Sequence, residues 1–252
     1  MKKAIIIASF GAVDDKIRSR TIDALYSDVE ENFSDFEIRQ AYTSNFIRKK
    51  LNERGIKILS LEEQIKSLQN EGFEEILVLP THLTAGEEFD NKIKIFADEK
   101  IKILPPMFSL KCNTNFDVKI LQVVVDCFKT FGDEQLVLIG HGSPHRHNPV
   151  YENLQKLTDE KIHIGVIEPS DTPNFEDVLK RLQKNKATRV LIAPLLFNGG
   201  VHVTEDIAGY NKDSWSFRLI ASGFFVRVCY DGLGSFEEFR RLYIERLESF
   251  LN

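Results

Sequence analysis

"ILVLPTHLTAGEEFDNKI" at Ile76–Ile93 lies over "VLIAPLLFNGGVHVTEDI" at Val190–Ile207 without a gap. Pro80 falls on Pro194, Gly86 on Gly200 and Glu88 on His202. Each stretch is a short apolar run closed by proline, then a polar loop, then an amphipathic segment. That is the pattern of a buried strand feeding a loop and a helix. Working outward, "IIIASFGA" (Ile5–Ala12) lies over "LVLIGHGS" (Leu136–Ser143), which puts Phe10 on His141 and Gly11 on Gly142. "RQAYTS" (Arg39–Ser44) lies over "GVIEPS" (Gly165–Ser170), which puts Tyr42 on Glu168. The repeat predicts a duplicated α/β unit.

The rest of the chain fits that expectation. Strands are expected at Lys3–Ser9, Glu37–Tyr42, Glu75–Pro80 and Lys102–Leu104, and again at Gln135–Ile139, Ile162–Ile167, Arg189–Pro194 and Val226–Cys229. Helical patterning fills the spaces: Asp15–Phe33, Asn45–Arg54, Leu61–Glu71, Glu87–Glu99, Thr114–Phe131, Val150–Leu157, Asn174–Lys184 and Phe236–Leu251. Strands that alternate with helices and are apolar nearly throughout imply parallel sheets covered on both faces. The fold class is therefore α/β, as two similar halves at residues 1–128 and 129–252. The C-terminal helix is free to pack back on the first half.

Composition narrows the function. With 252 residues, 42% hydrophobic and 28% charged, the chain can build a sizeable core. A net charge of −5 argues against a nucleic-acid surface, which needs clustered cations. Cys112, Cys127 and Cys229 are odd in number and lack CxxC spacing, which favours buried thiols in a reducing, cytoplasmic compartment. "MKKAIIIASFGAVDD" reads as a first strand and not as a signal peptide. No apolar run approaches a membrane span. GxSxG, HExxH and nucleotide-binding glycine spacings are missing.

In open parallel sheets ligands bind beyond the carboxyl ends of the strands. The second half presents His141 after its first strand, Glu168 after its second and His202 after its third. A single histidine after a strand is ordinarily a satisfied loop residue, and a strand-end glutamate is ordinarily solvated. Three such residues on successive strand ends are harder to set aside. Imidazole and carboxylate suit a divalent transition metal such as cobalt, nickel, iron or zinc, and three protein ligands leave positions open for exchange. His145 and His147, beside Arg146, read as solvent-facing, and His163 as a packed or edge residue. His82 sits at the equivalent rim of the first half. "DSW" at Asp213–Trp215 fits a helix N-cap, with Trp215 as a packing anchor. The "DGLGS" turn at Asp231–Ser235 offers backbone N–H donors to an anion.

Nearly end to end, the sequence resembles the single-subunit, ATP-independent tetrapyrrole chelatases, and among them the anaerobic sirohydrochlorin cobaltochelatases. The resemblance is carried by "MKKAIIIASFG", "AYTSNFIRKKL", "THLTAGEEF", "GHGSPHRH", "GVIEP", "PLLFNGGVH", "DSWSFRL" and "DGLGS", in that order. It implies two chelatase-like halves related by a pseudo-twofold axis, with the tetrapyrrole in the cleft between them. It also implies metal ligation by His141, Glu168 and His202. His141 would accept a proton. Beside what the resemblance implies, His202 is a candidate to share the catalysis, and Phe10, His82 and Glu88, from their places in the first half, are candidates to contact substrate. Co²⁺ would be a substrate metal, with no ATP and no organic cofactor. The partners would be sirohydrochlorin and a divalent ion, with no nucleic acid or membrane and with homo-oligomerisation left open. Ser235 stands where the family often has Glu after the GLG turn. The substrate carries eight carboxylates, so an acidic protein needs local donors; Arg18, Arg20, Arg48 and Lys49 are candidates. Iron or nickel chelation, a non-enzymatic tetrapyrrole or metal carrier, and a zinc hydrolase remain alternatives at this point.

Overall fold

The structure, a computed structural model, describes residues 2–144 and 146–251. Within them the chain divides into two compact units, Met1–Met107 with Gly234–Asn252, and Phe108–Leu233.

The first unit is a parallel sheet of β1 (Lys3–Ser9), β2 (Glu37–Tyr42), β3 (Glu75–Pro80) and β4 (Ile101–Ile103), in the order β2-β1-β3-β4. Its helices are α1 (Asp15–Arg20), α2 (Ile22–Asn32), α3 (Asn45–Glu53), α4 (Leu61–Asn70), α5 (Glu87–Lys92) and the C-terminal α10 (Glu237–Leu251). Alternation sorts the central strand. Ala4, Ile6 and Ala8 pack with Leu61, Ile65 and Leu68 of α4 and with Phe89, while Ile5 and Ile7 are fully buried on the opposite face. A Ser60–Glu63 capping box starts α4. The single helix expected at Asp15–Phe33 is two. Thr21, fully buried, turns its hydroxyl back to the Ile17 carbonyl at 2.7 Å and leaves helical geometry with ψ −83°. The helix expected at Glu87–Glu99 likewise ends at Ile93 and continues only as a 3₁₀ turn at Lys94–Phe96.

The second unit repeats the plan. Its sheet is β5 (Gln135–Gly140), β6 (Ile162–Val166), β7 (Arg189–Pro194) and β8 (Phe225–Val228), in the order β6-β5-β7-β8, all parallel. Around it lie α6 (Asn115–Cys127), α7 (Pro149–Leu157), α8 (Phe175–Lys184) and α9 (Trp215–Ala221), with a π-helical turn at His202–Ile207. Val137 and Ile139 pack with Phe175, Val178 and Leu182 of α8 and with Trp215 and Leu219 of α9. Ser214 is the N-cap of α9, accepting from Phe217 N at 3.2 Å. The sequence boundary at 128/129 leaves α6 in the first half, whereas the compact units set it in the second. The segment leading into α6 is tied there by its own bonds: Asn153 donates to the Leu110 carbonyl at 3.1 Å, and the Cys112 thiol to the Val150 carbonyl at 3.7 Å.

The strand ladders fix which residues of the two units correspond. Ala8 pairs with Pro80 as Ile139 pairs with Pro194. On the other side Ser9 pairs with Tyr42 as Gly140 pairs with Val166. Tyr42 therefore corresponds to Val166, and the sequence match of Tyr42 to Glu168 is two residues out of register. Ser44 takes the place of Glu168: Ser44 N donates to Phe10 O at 3.4 Å as Glu168 N donates to His141 O at 3.0 Å. A two-residue slip keeps every side chain on its own face of a strand, so the apolar pattern alone does not expose the error. The match of Phe10 to His141 holds.

Candidate active site

The site is built at the carboxyl edge of the second sheet. From β5 the chain crosses to β6 on one side and later to β7 on the other, so the ends of β5 and β7 flank a topological switch point. His141 follows β5 directly, Glu168 lies two residues beyond β6, and His202 opens the π-helical turn after β7. Main-chain bonds continue past the strands and lock the first two together: Ile167 N donates to Gly140 O at 2.9 Å and Glu168 N to His141 O at 3.0 Å. Gly142 then turns the chain away with φ +77°. A Cβ there would lie 3.0 Å from the Cβ atoms of both Glu168 and Val166, so a side chain would be strained by both backbone and space. The loop leading to His202 is held by a second close approach. Leu233 N donates to Leu196 O at 2.9 Å, and a Cβ on Gly232 would meet the Gly199 nitrogen at 2.2 Å. The "DGLGS" turn is thus a buttress for the His202 loop.

Two of the three expected ligands meet through their side chains. The rings of His141 and His202 stand edge to face, centroids 4.7 Å apart at 88°. His141 Nδ1 lies 3.0 Å from the Gly142 carbonyl, and His202 Nδ1 lies 2.7 Å from Asp206 Oδ2. Carbonyl and carboxylate oxygens only accept, so Nδ1 carries a proton in both rings, and the neutral form of each has its lone pair on Nε2. Both imidazoles are solvent-accessible. The two rings therefore lie side by side, each oriented by an acceptor at its Nδ1, which is how metal-binding histidines are ordinarily set.

Glu168 is brought beside His141 by the backbone, but its carboxylate turns to Ser170. Oε1 accepts from Ser170 Oγ at 2.9 Å and from Ser170 N at 3.4 Å. Among the described residues no three His, Cys, Asp or Glu side chains already stand as a metal-binding group. As placed, the half-buried Glu168 carboxylate is held by Ser170 and does not join the two imidazoles in such a group.

The remaining expectations fall out unevenly. His147 is half exposed but not idle: its Nδ1 lies 2.7 Å from Asp171 Oδ1 and its Nε2 lies 3.5 Å from Glu152. His145 lies outside the described residues. His163 is buried and donates from Nε2 to Gln135 at 2.8 Å; burial lowers its pKa to about 4, so it is a neutral core group. In the first unit Phe10 is 47% exposed at the end of β1, matching His141 in place but not in chemistry. Glu88 pairs with Lys92 at 3.0 Å, at the positions matching His202 and Asp206. His82 packs on Phe89, and burial lowers its pKa to about 4 as well. Sequence reasoning passed over Asp206, Asp171 and Ser170. An His-x-x-x-Asp spacing in "HVTED" was a usable signal for the first. Nothing local signals the other two.

This arrangement can be set beside known proteins. The family model described as cobalt chelatase (CbiK) matches residues 3–252. The chain belongs to the CbiK cobalt chelatase family. Among curated relatives, the sirohydrochlorin cobaltochelatase of Salmonella typhimurium is 25% identical, covering 100% of this chain and 97% of the relative. The sirohydrochlorin cobaltochelatase CbiKC of Nitratidesulfovibrio vulgaris is 27% identical, over 98% and 89%. Among solved structures, SirB from Bacillus subtilis with Fe³⁺ superposes with a TM-score of 0.61 at 16% identity, covering 99% of this chain and 95% of SirB. CbiX, described as the terminal enzyme of sirohaem biosynthesis in denitrifying bacteria, gives 0.52 at 19% identity over the whole of both chains. These two likenesses establish the chelatase fold for this CbiK member. No helix among the described residues is long and apolar enough to cross a membrane.

Proposed function

We propose that this chain inserts Co²⁺ into sirohydrochlorin, with the ion handled by His141, His202 and Glu168. The observation that carries the reading is the pair of imidazoles at the sheet's switch point, each backed by an acceptor and each presenting Nε2. Insertion requires the ion to shed water and two pyrrole N–H protons to leave as two metal–nitrogen bonds form. Neutral imidazoles suit both tasks. They hold a borderline divalent ion without fixing it in a closed shell, and an imidazole not engaged by the ion accepts a proton near neutral pH. In this account His141 and His202 both hold the arriving ion through Nε2; as the ion passes to the ring nitrogens, His141 Nε2 is released and takes a pyrrole proton, while His202 presents the ion. Glu168, released from Ser170, offsets the cationic charge and reduces the cost of stripping water from the ion.

No energy-rich cofactor enters, since the exchange replaces metal–water and N–H bonds by metal–nitrogen bonds and hydrated protons. ATP-independence fits a chain whose glycine turns lack phosphate-loop spacing. The net charge of −5 speaks against nucleic acid as a partner. Burial pushes the Cys112 thiol up to about 12, so it stays protonated near neutral pH. Phe10, His82 and Glu88 are proposed as substrate contacts. Phe10 supplies an apolar ring surface, and the uncharged His82 supplies a hydrogen-bonding edge.

Anaerobic incubation of the purified protein with sirohydrochlorin and, in turn, Co²⁺, Fe²⁺, Ni²⁺ and Zn²⁺, followed by absorbance, tests the reading. The expected result is enzyme-dependent insertion, fastest with Co²⁺. Separate binding of ring and Co²⁺ with no acceleration over the uncatalysed rate would instead make the protein a carrier.

A further inference from the structure

Asp171 is a densely hydrogen-bonded carboxylate of the second unit, and the chemistry proposed above does not use it. Its side chain is fully buried. One oxygen lies 2.9 Å from Ser143 N, and the other accepts from Thr172 N at 2.9 Å. Asn148 N reaches the two oxygens at 3.3 and 3.4 Å, and His147 Nδ1 stands 2.7 Å from Oδ1. Asp171 N in turn donates to the Glu168 carbonyl at 3.2 Å. A buried carboxylate is costly to desolvate unless donors surround it, and here four do so.

The partners of those bonds matter more than their number. Ser143 and Asn148 stand at the two ends of the loop that leaves His141, and Asp171 sits in the turn that leaves Glu168. One carboxylate therefore pins the loop of the first ligand to the turn of the second. Ser170 Oγ, also bonded to Glu168, adds a long contact of 3.5 Å to the Pro144 carbonyl across the same seam. The strand ladder alone fixes only the main chain of His141 and Glu168. The direction in which the two loops carry on, and hence the space into which both side chains turn, depends on this clasp.

We infer that Asp171 is a positioning residue for metal capture, acting with His147 to hold the His141 and Glu168 loops in register for a divalent ion. The inference rests on the reading of His141 and Glu168 as ligands. Its signature is a rise in the KM for Co²⁺ with a smaller effect on kcat, because the clasp shapes the metal site and touches neither reacting nitrogen nor ring.

The test compares Asp171→Asn, His147→Ala, His141→Ala and, as a stability control, His163→Leu. His163 lies on the same strand as the Glu168 turn but near its opposite end. The amide of Asp171→Asn keeps the shape and turns an NH₂ toward N–H donors, so the KM for Co²⁺ should rise about 10–100-fold, the usual cost of losing an outer-shell partner. The d–d absorption of Co²⁺ added to the protein alone should change in intensity, since loosened loops alter the ion's coordination. His147→Ala, which removes one donor and leaves the buried charge, should raise KM by about 3-fold, a single hydrogen bond's worth. Destabilisation by His163→Leu should leave both readouts alone. Wild-type KM and d–d spectrum in Asp171→Asn would overturn the inference, as would an equal KM rise in His163→Leu. Wild-type Co²⁺ binding in His141→Ala would bring down the ligand reading itself, and the inference with it.

Discussion

The imidazoles of His141 and His202 meet edge to face at 4.7 Å, although one follows β5 and the other lies beyond β7. Parallel pairing of those two strands makes this proximity possible, since Ile139 stands opposite Pro194 and both loops leave the same edge. What each ring offers is decided by its partner: the Gly142 carbonyl for His141, the Asp206 carboxylate for His202.

Asp206 should therefore matter without touching substrate. Asp206→Asn can present an NH₂ to His202 Nδ1 and so favour the tautomer that keeps a proton on Nε2, the wrong nitrogen for an ion. Co²⁺ affinity, measured by titration of the protein alone, should fall about 10-fold or more, while Asp206→Glu should recover part of the loss.

Gly142 is the steric counterpart. Gly142→Ala forces a side chain into φ +77° and sets its Cβ 3.0 Å from the Cβ of Glu168. The cost should be about 1–2 kcal/mol in chemical denaturation, from the left-handed backbone alone. Insertion should suffer more than stability does, because the methyl pushes on the stem of Glu168. Glycine at the matching position, Gly11, has φ +102°, and Gly11→Ala should destabilise without that direct effect on the metal.

Acid should weaken the fold through His163. Its pKa is lowered by burial to about 4, against about 6.5 in an unfolded chain. Between those values the unfolded chain binds the extra proton, so stability is fully present above about pH 6.5 and falls as pH drops toward 4, by on the order of 3 kcal/mol. Urea titrations at pH 7 and pH 4.5 measure the slope. His163→Leu should remove this part of it, at a cost near neutral pH of about 1–3 kcal/mol for leaving Gln135 unpaired.

The fold was legible because its strands are apolar on both faces and its units repeat. Lys3–Ser9, Glu75–Pro80 and Arg189–Pro194 begin and end where their composition changes. The breaks inside helices were not legible. Thr21 bends the first helix through a hydroxyl that would have been equally at home on a straight one. The π-helical turn carrying His202 was also hidden, since "HVTEDI" has no period long enough to read.

For the site, His141, Glu168 and His202 could be picked out from their places just beyond the ends of successive strands. The histidine-rich turn is legible only in part: His147 is exposed as expected, yet its Nδ1 also reaches a carboxylate that lies far along the chain and is wholly buried. Contacts such as Asp171 to Ser143 depend on the meeting of two loops, and no local pattern encodes them. The alignment of Tyr42 with Glu168 failed for a related reason: apolar alternation tolerates a two-residue slip, and only the hydrogen-bonded ladder resolves it.

The most direct test of the account is a double-mutant cycle on the two rings. Cobalt insertion into sirohydrochlorin is measured for His141→Ala, His202→Ala and the double variant, with circular dichroism to confirm the fold. If both imidazoles serve one ion, each single change should lower kcat/KM by about 100-fold or more, and the double variant should be little worse than the poorer single. Near wild-type insertion by His141→Ala, or losses that simply multiply in the double variant, would contradict a shared metal site.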